Sequence, residues 1–242
     1  MASVEAHYQN TLAPIYCWAF GGIDALIQRG DDFFTAHGIL PKGSGVAVDL
    51  GAGPGSQTIP LARRGFKVTA IDLNSALLRE LENHGRDLPI NVVIDDLCHF
   101  TEHCPDNVEL IVCMADTLLH LPSVQSVQEL LKTAYGNLEI DGRLIITVRD
   151  LTNELRDEDR FIPIRQNACT IASCFLEYET DTVKVHDLIY QRSGENWALN
   201  KSFYRKLRLS QKWLEKELVT IGFKILIGSN SQGLITLIAT KI

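Results

Sequence analysis

Apolar residues follow two interleaved rhythms as far as about residue 150, and a third rhythm after it. Short aliphatic runs recur ("VAVDL", "KVTAID", "INVVI", "VELIVC", "RLIITV"), and between them apolar positions return every three or four residues. Runs of five or six with no polar alternation describe strands buried on both faces, and the spacing between them describes amphipathic helices. Residues 4–38 read as helical, with Gly21-Gly22 as a break and Gly38 as a stop. Strands are expected at 45–50, 66–72, 90–96, 108–115 and 141–150, and helices near 56–64, 75–85 and 123–139. Ser56 as N-cap would put Pro60 in the first turn, where its missing N–H costs little. Asn74 or Ser75 caps the second helix, and Gly65 and Gly85 stand as C-terminal stops.

Beyond Asp150 the rhythm shortens to two. "TIASCFLEYET", "VKVHDLIYQRS" and "ALNKSFYRKLRLS" alternate as three antiparallel strands, the last two joined at "GEN". A helix over 210–222 and a strand pair at 223–229 and 233–242 close the chain. Five strand–helix alternations predict a parallel sheet covered on both faces, with an antiparallel insertion near 151–208. No repeat or linker divides the 242 residues, so they read as one domain.

Composition narrows the partners. The net charge of −7, with no basic block, argues against nucleic acid or an anionic membrane as the main ligand. No run of 18 apolar residues offers a membrane span. The polar start, with Glu5, does not read as a secretory signal. Cys17, Cys98, Cys104, Cys113, Cys169 and Cys174 lack the paired spacing of a disulfide or zinc framework. A cytoplasmic protein without a structural metal is the expectation.

The chemistry gathers at "VAVDLGAGPGSQ". A strand ends in Asp49, and Gly51, Gly53 and Gly55 follow around Ala52, Pro54 and Ser56. The nicotinamide fingerprint needs a glycine where Ser56 stands, so a nicotinamide-dependent oxidoreductase is improbable. Asp72, followed by Leu73, ends the second strand, where a carboxylate can accept from both ribose hydroxyls and repels a 2′-phosphate. Asp95-Asp96 ends the third, placed to accept from an adenine amino group while the Leu97 N–H donates to the ring. Together these describe a site for adenosine carrying a cationic, phosphate-free tail.

"VDLGAGPG" with "VTAIDLN" resembles the first two motifs of the class I S-adenosylmethionine-dependent methyltransferases, and the order of elements matches over nearly the whole chain. "CMADTLLHLPS", "TVRDLTNELRDEDRFIPIR" and "HYQNTLAPIYCWAFGG" are similar to segments of small-molecule members related to glycine and sarcosine N-methyltransferases. The resemblance implies an α/β fold: a Rossmann-like, seven-stranded, mostly parallel sheet with an antiparallel C-terminal hairpin. It also implies a helical lid over 1–40, a cofactor-binding core over 41–150 and 209–242, and an antiparallel insertion over the substrate site at 151–208. By position, Asp49 and the glycine loop would lie under the cofactor's amino acid end, Asp72 would take the ribose, and Asp96 with Leu97 the adenine. Met114, Ala115, Asp116 and Thr117 would line the cofactor, Tyr8 and Tyr16 would close the lid, and Arg149 would hold a carboxylate. Asp116 stands where these relatives often have Asn.

Transfer of a sulfonium methyl is a displacement that needs alignment more than a base, and the sequence shows no triad or dyad. His120 is the best-placed titratable candidate, as a base or as a hydrogen-bonding partner of the cofactor. Arg149 suits a substrate or cofactor anion, whereas Arg160 and Arg165 have acidic neighbours enough to pair locally. Tyr178, His186, Asp187 and Tyr204 lie in the insertion expected to roof the pocket. "CHFTEHC" sets His99 and His103 on one helical face, but without a second ligand pair it reads as a loop edge rather than a metal site. A small-molecule acceptor, nitrogen or oxygen, is the leading reading. A protein or nucleic-acid methyltransferase and a non-catalytic cofactor-binding module are the alternatives.

Overall fold

The computed structural model describes residues 4–242, so the first three residues of the expected lid lie outside the described residues. Alternating strands and helices produce the order α1 (Ile23–Ala36), β1 (Val46–Leu50), α2 (Thr58–Arg63), β2 (Lys67–Asp72), α3 (Ser75–His84), β3 (Ile90–Ile94), β4 (Val108–Cys113), α4 (Val124–Asn137) and β5 (Leu138–Arg149). The second half adds β6 (Phe161–Gln166), β7 (Thr170–Tyr178), β8 (Thr182–Ser193), β9 (Asn196–Leu207), α5 (Gln211–Ile221), β10 (Phe223–Ser231) and β11 (Leu234–Lys241).

Seven strands form one sheet in the order β10-β11-β5-β4-β1-β2-β3. β1 pairs in parallel with β2 and β4, and β4 with β5, whereas β11 runs antiparallel to both β5 and β10. β11 alone is therefore reversed. Its turn from β10 uses Gln232 and Gly233, both at positive φ, the geometry a tight hairpin demands. Every residue of β4 is buried, as its unbroken apolar run requires.

The insertion is a four-stranded antiparallel sheet, β6-β7-β8-β9, with one strand more than the pattern predicts. Pro163 and a bulge between Pro163 and Arg165 hide β6 from a period-two reading, and an edge strand tolerates both. Cys174, Leu176, Val185 and Tyr204 of this sheet share a continuous core with Val148, Leu151 and Ile235 of the first. The two sheets are thus packed together, and their junction frames the site.

Two local expectations change. Ser56 does not cap α2, which starts at Thr58 with no side-chain cap from Gln57. The carboxylate of Asp49 does that work from β1, accepting from the Thr58 hydroxyl at 2.6 Å and from its backbone N–H. Pro60 is then the third helical residue, still among the donors that need no partner. The segment before Gly21 is not one helix: Val4–His7 is α, Tyr8–Leu12 widens to a π turn, and Ala13–Ile15 tightens to 3₁₀ where Pro14 removes a donor. Asn74 caps α3 as expected, accepting from the N–H groups of Ala76 and Leu77.

Candidate functional site

A cleft of about 1060 Å³, its open mouth included, lies at the carboxyl ends of β1 to β4 under the N-terminal segment. The structure brings Gly51, Ala52, Gly53, Asp72, Leu73, Asp95, Asp96, Leu97, Ala115, Thr117, His120, Tyr8 and Tyr16 to its wall.

The three glycines of the first turn are needed for three different reasons. All have positive φ. A Cβ on Gly51 would lie 2.4 Å from Thr117, and one on Gly55 would lie 2.5 Å from Leu81. One on Gly53 would meet no protein atom within 4 Å, because it would project into open space. Gly55 is therefore a packing residue outside the wall, whereas Gly53 leaves room for a ligand to approach the backbone.

Asp72 holds this turn from the neighbouring strand, accepting from Gly53 N–H and from Asn74 N–H, both at 2.8 Å. Leu73 N–H bonds the carboxylate as well, and its remaining acceptor capacity faces the cleft. Burial raises its pKa, and those backbone donors offset part of the rise. Asp49 lies beneath the turn rather than in the wall, its carboxyl pushed up to about 7 by burial despite the Thr58 bonds.

At the end of β3 the two acids divide. Asp95 faces His103 at 2.6 Å and His99 at 3.3 Å, and these hydrogen bonds bring it down to about 2. Asp96 accepts from Cys98 N–H at 2.9 Å and also faces the Cys98 thiol. No group of three His, Cys, Asp or Glu among the described residues is arranged to hold a metal ion.

The loop after β4 carries two successive non-glycine residues at positive φ, Ala115 at 55° and Asp116 at 72°. Such backbone needs support from its surroundings. Ala115 N–H donates to the Thr147 hydroxyl at 2.9 Å and Asp116 N–H to the Thr147 carbonyl at 3.1 Å. The Asp116 carboxylate accepts from Arg149 N–H and from Lys206 Nζ, each at 2.7 Å. Burial would raise its pKa, but Lys206 and Arg149 outweigh burial and the carboxyl stays below its ordinary value. Asp116 is thus a buried clamp between β4, β5 and β9 rather than part of the wall. Met114 is buried beneath it.

Above this loop four rings from three parts of the chain pack together. Tyr204 is centred 4.5 Å from His7, 5.2 Å from His120 and 5.9 Å from Tyr8. Tyr8 Oη lies 3.3 Å from His120 Nε2. Burial, then the charge of Lys206, lowers His120 to about 3, so its ring is neutral. Burial raises Tyr16 to about 12 and Tyr8 well above its ordinary value. His7, fully buried, lies 2.8 Å from Asp187 and ties the N-terminal segment to β8.

Three further candidates, besides Asp49, Gly55, Met114, Asp116 and Tyr204, do not line the cleft. The Arg149 guanidinium, 57% exposed, turns to Asp116 at 3.5 Å. The Tyr178 hydroxyl accepts from Leu155 N–H at 3.1 Å beneath the guanidinium of Arg208. His186 lies on the outer face of its sheet, 2.9 Å from Glu177. Val183, Val185, Asp187 and Ile189 are the buried positions of β8, so Asp187 faces inward and His186 cannot. Lys206 escapes the sequence reading, although its parity with Tyr204 carries the signal.

Residues 47–142 match a family described as a methyltransferase domain. A glycine/sarcosine N-methyltransferase of Aphanothece halophytica is 24% identical over 158 residues, 60% of this chain. The chain spans 56% of that relative's length. Among solved structures, an S-adenosylmethionine-dependent methyltransferase of Clostridium acetobutylicum aligns over 97% of this chain and 96% of its own, with 17% identity and a TM-score of 0.71. DesVI of Streptomyces venezuelae aligns over 96% and 97%, with 11% identity and a TM-score of 0.76. An amino pentose methyltransferase of Micromonospora echinaspora, solved with S-adenosylmethionine bound, aligns over 90% and 91%, with 12% identity and a TM-score of 0.72. These structural likenesses establish a shared fold. No helix of the described residues is long and apolar enough to cross a membrane.

Proposed function

The chain carries a methyltransferase domain in the fold of the class I S-adenosylmethionine-dependent enzymes, and on that premise we propose that it methylates the nitrogen of a small-molecule amine. The observation that carries this reading is the cleft's charge. Glu5, Asp72, Asp95 and Asp96 line it, with no Lys or Arg among the lining residues described.

S-adenosylmethionine, the cofactor of this family, supplies when bound a sulfonium methyl already activated for displacement. The residues present fit it. Gly53 leaves open space where a side chain would stand, Asp72 lines the cleft where a ribose would lie, and Asp96 lines it where an adenine would lie. The surrounding acids favour a ligand with positive charge in its tail.

The chain's own contribution is alignment and exclusion of water. Tyr8 and Tyr16 line the cleft from the N-terminal segment. The wall offers carboxylates as its only candidate proton acceptors near neutral pH. His120 at about 3 is too weak a base, and Tyr16 at about 12 holds its own proton. Asp49 titrates near 7 but lies outside the wall, bonded to Thr58. An alcohol would have only these carboxylates, weak bases toward a hydroxyl, to take its proton. An amine needs only to shed its proton to water before binding, so nitrogen is favoured. Tyr8 and His120, backed by Tyr204, then act as a neutral aromatic wall that positions it.

Calorimetry with S-adenosylhomocysteine, followed by turnover across matched amines and alcohols, tests this. Binding is expected in the wild type and falls about 100-fold in Asp72→Ala, the loss of two bonds to a charged group at about 1.5 kcal/mol each. With an amine acceptor, kcat/KM rises with pH to the acceptor's own pKa and shows no enzyme inflection near neutrality. Turnover confined to alcohols, with such an inflection, refutes the nitrogen assignment.

A further inference from the structure

The second sheet turns an apolar face toward the N-terminal segment, and one acid interrupts it. The buried positions of β8 are Val183, Val185, Asp187 and Ile189. Asp187 stands opposite Cys174 on one side and Ser202 on the other, and it is 3% exposed. A carboxylate on such a face is costly unless it is paired. Its partner comes from 180 residues away, with His7 Nε2 at 2.8 Å from Asp187 Oδ2. A carboxylate accepts, so Nε2 carries the proton. His7 is fully buried, and its Nδ1 has no partner.

Stability does not explain this pair. Apolar side chains of similar volume in place of a buried ion pair are often neutral or stabilising, and they leave no ring nitrogen unsatisfied. What a directional bond adds to apolar contact is register.

The N-terminal segment has a need for it. Its far end is docked by Ile15 and Ala19 on Ala172 and Ile189, with the Arg165 guanidinium over the Trp18 ring and bonded to the Trp18 carbonyl. Between that anchor and Tyr8 the chain tightens at Ala13–Ile15 and widens at Tyr8–Leu12, and neither turn has a side-chain cap. No continuous α-helix carries the position of the anchor to Tyr8. His7 directly precedes Tyr8, and its ring is centred 4.5 Å from Tyr204. Tyr204 backs both Tyr8 and His120, and the Tyr8 hydroxyl reaches His120 Nε2. The bond to Asp187 therefore acts on Tyr8 along the chain and on His120 through Tyr204.

We propose that His7 and Asp187 are positioning residues for the transfer, setting the register at which Tyr8 and His120 face the acceptor. Neither lines the cleft. This rests on the reading of that aromatic wall as the support of an amine. The cofactor end is held separately, by Gly53, Asp72 and by Tyr16, which follows the anchored Ile15. Loss of register then lowers turnover and spares cofactor affinity.

His7→Phe combined with Asp187→Val keeps the contact apolar and removes the bond. On the full chain, urea unfolding, calorimetry with S-adenosylhomocysteine, and kcat and KM with the best amine of the matched panel are compared with wild type. Stability should stay at or above wild type. Affinity for S-adenosylhomocysteine should hold within about threefold while kcat falls roughly 10- to 100-fold, the effect of an ångström-scale misplacement. Asp187→Asn, whose amide oxygen still accepts from Nε2–H, should retain most of the wild-type kcat. An apolar pair that turns over like wild type overturns the proposal, as does a fall in kcat matched by an equal loss of cofactor affinity. Should the apolar pair not fold, Asp187→Ala against Asp187→Asn makes the same comparison. A wild type that turns over no amine refutes the nitrogen reading instead. The His120 ring signal by NMR then decides the positioning role, and a signal unmoved in the variants without the bond overturns it.

Discussion

The buried ion pair between Lys206 and Asp116 offers the sharpest test of how the second sheet supports the cleft. Replacing Lys206 with Met removes the cation and keeps the length of the side chain. The Asp116 carboxylate then stays in a site where it is 5% exposed. Breaking one side of such a pair costs about 3–5 kcal/mol. The Arg149 guanidinium remains at 3.5 Å but is itself half in solvent, so a cost near the lower limit, about 3 kcal/mol, is expected. For a chain of this length that lowers Tm by roughly 6–12 °C. Adding Asp116→Asn makes the site neutral while its amide oxygen still accepts from Arg149 N–H. The double variant should recover to within about 1 kcal/mol of wild type, so the coupling in the cycle is about 2 kcal/mol plus whatever Asp116→Asn costs alone. Urea unfolding of the four proteins measures it. A second readout is the His120 titration by NMR. Burial, the larger cause of its depression, persists in Lys206→Met, but the neighbouring charge is gone, so its pKa should rise from about 3 without reaching its ordinary value. Single effects that simply add, or a Lys206→Met cost under about 1 kcal/mol, would refute the clamp.

Gly53→Ala meets no protein atom, so it should lose only the strain of a positive φ, about 1–2 kcal/mol, while abolishing the thermal shift by S-adenosylhomocysteine. Gly55→Ala, whose Cβ would strike Leu81, should instead lose stability first, and equal ligand loss in both variants would contradict the division of roles. His120 sits at about 3 when folded and near 6.5 when unfolded, so the folded chain binds fewer protons between those values. The stability it contributes is complete above about pH 6.5 and is lost as pH falls toward 3, so His120→Gln should flatten the acid limb of urea midpoints. An unchanged acid limb would place that titration elsewhere.

Much of the cofactor half was legible in the order of residues. Strands that end in Asp49, Asp72 and Asp96 are read directly, because apolar runs and the carboxylates that end them are local. In a parallel sheet every such end lies on one edge. Gly51, Gly53 and Gly55 were equally visible as a group. Only the packing of Thr117 and Leu81 against the first and last shows that the middle one alone faces open space. The expected cap at Ser56 failed for the same reason, since the donor is met by a carboxylate nine residues away in sequence.

The acceptor half depended on tertiary structure. His186 and Asp187 are adjacent, and a period of two puts one inward and the other outward. Which is which follows from the apolar parity of Val183, Val185 and Ile189, a signal present in the sequence but outweighed by the chemistry of histidine. Arg149 reads as an anion site until Asp116 and Lys206 arrive from positions 33 and 57 residues away. The sequence alone determined the class of fold, the glycine turn and the acids that end the strands, because these arise from interactions between near neighbours. The tertiary structure decided which charges remain free, since a charge is cancelled by whatever the fold brings beside it, at any separation along the chain.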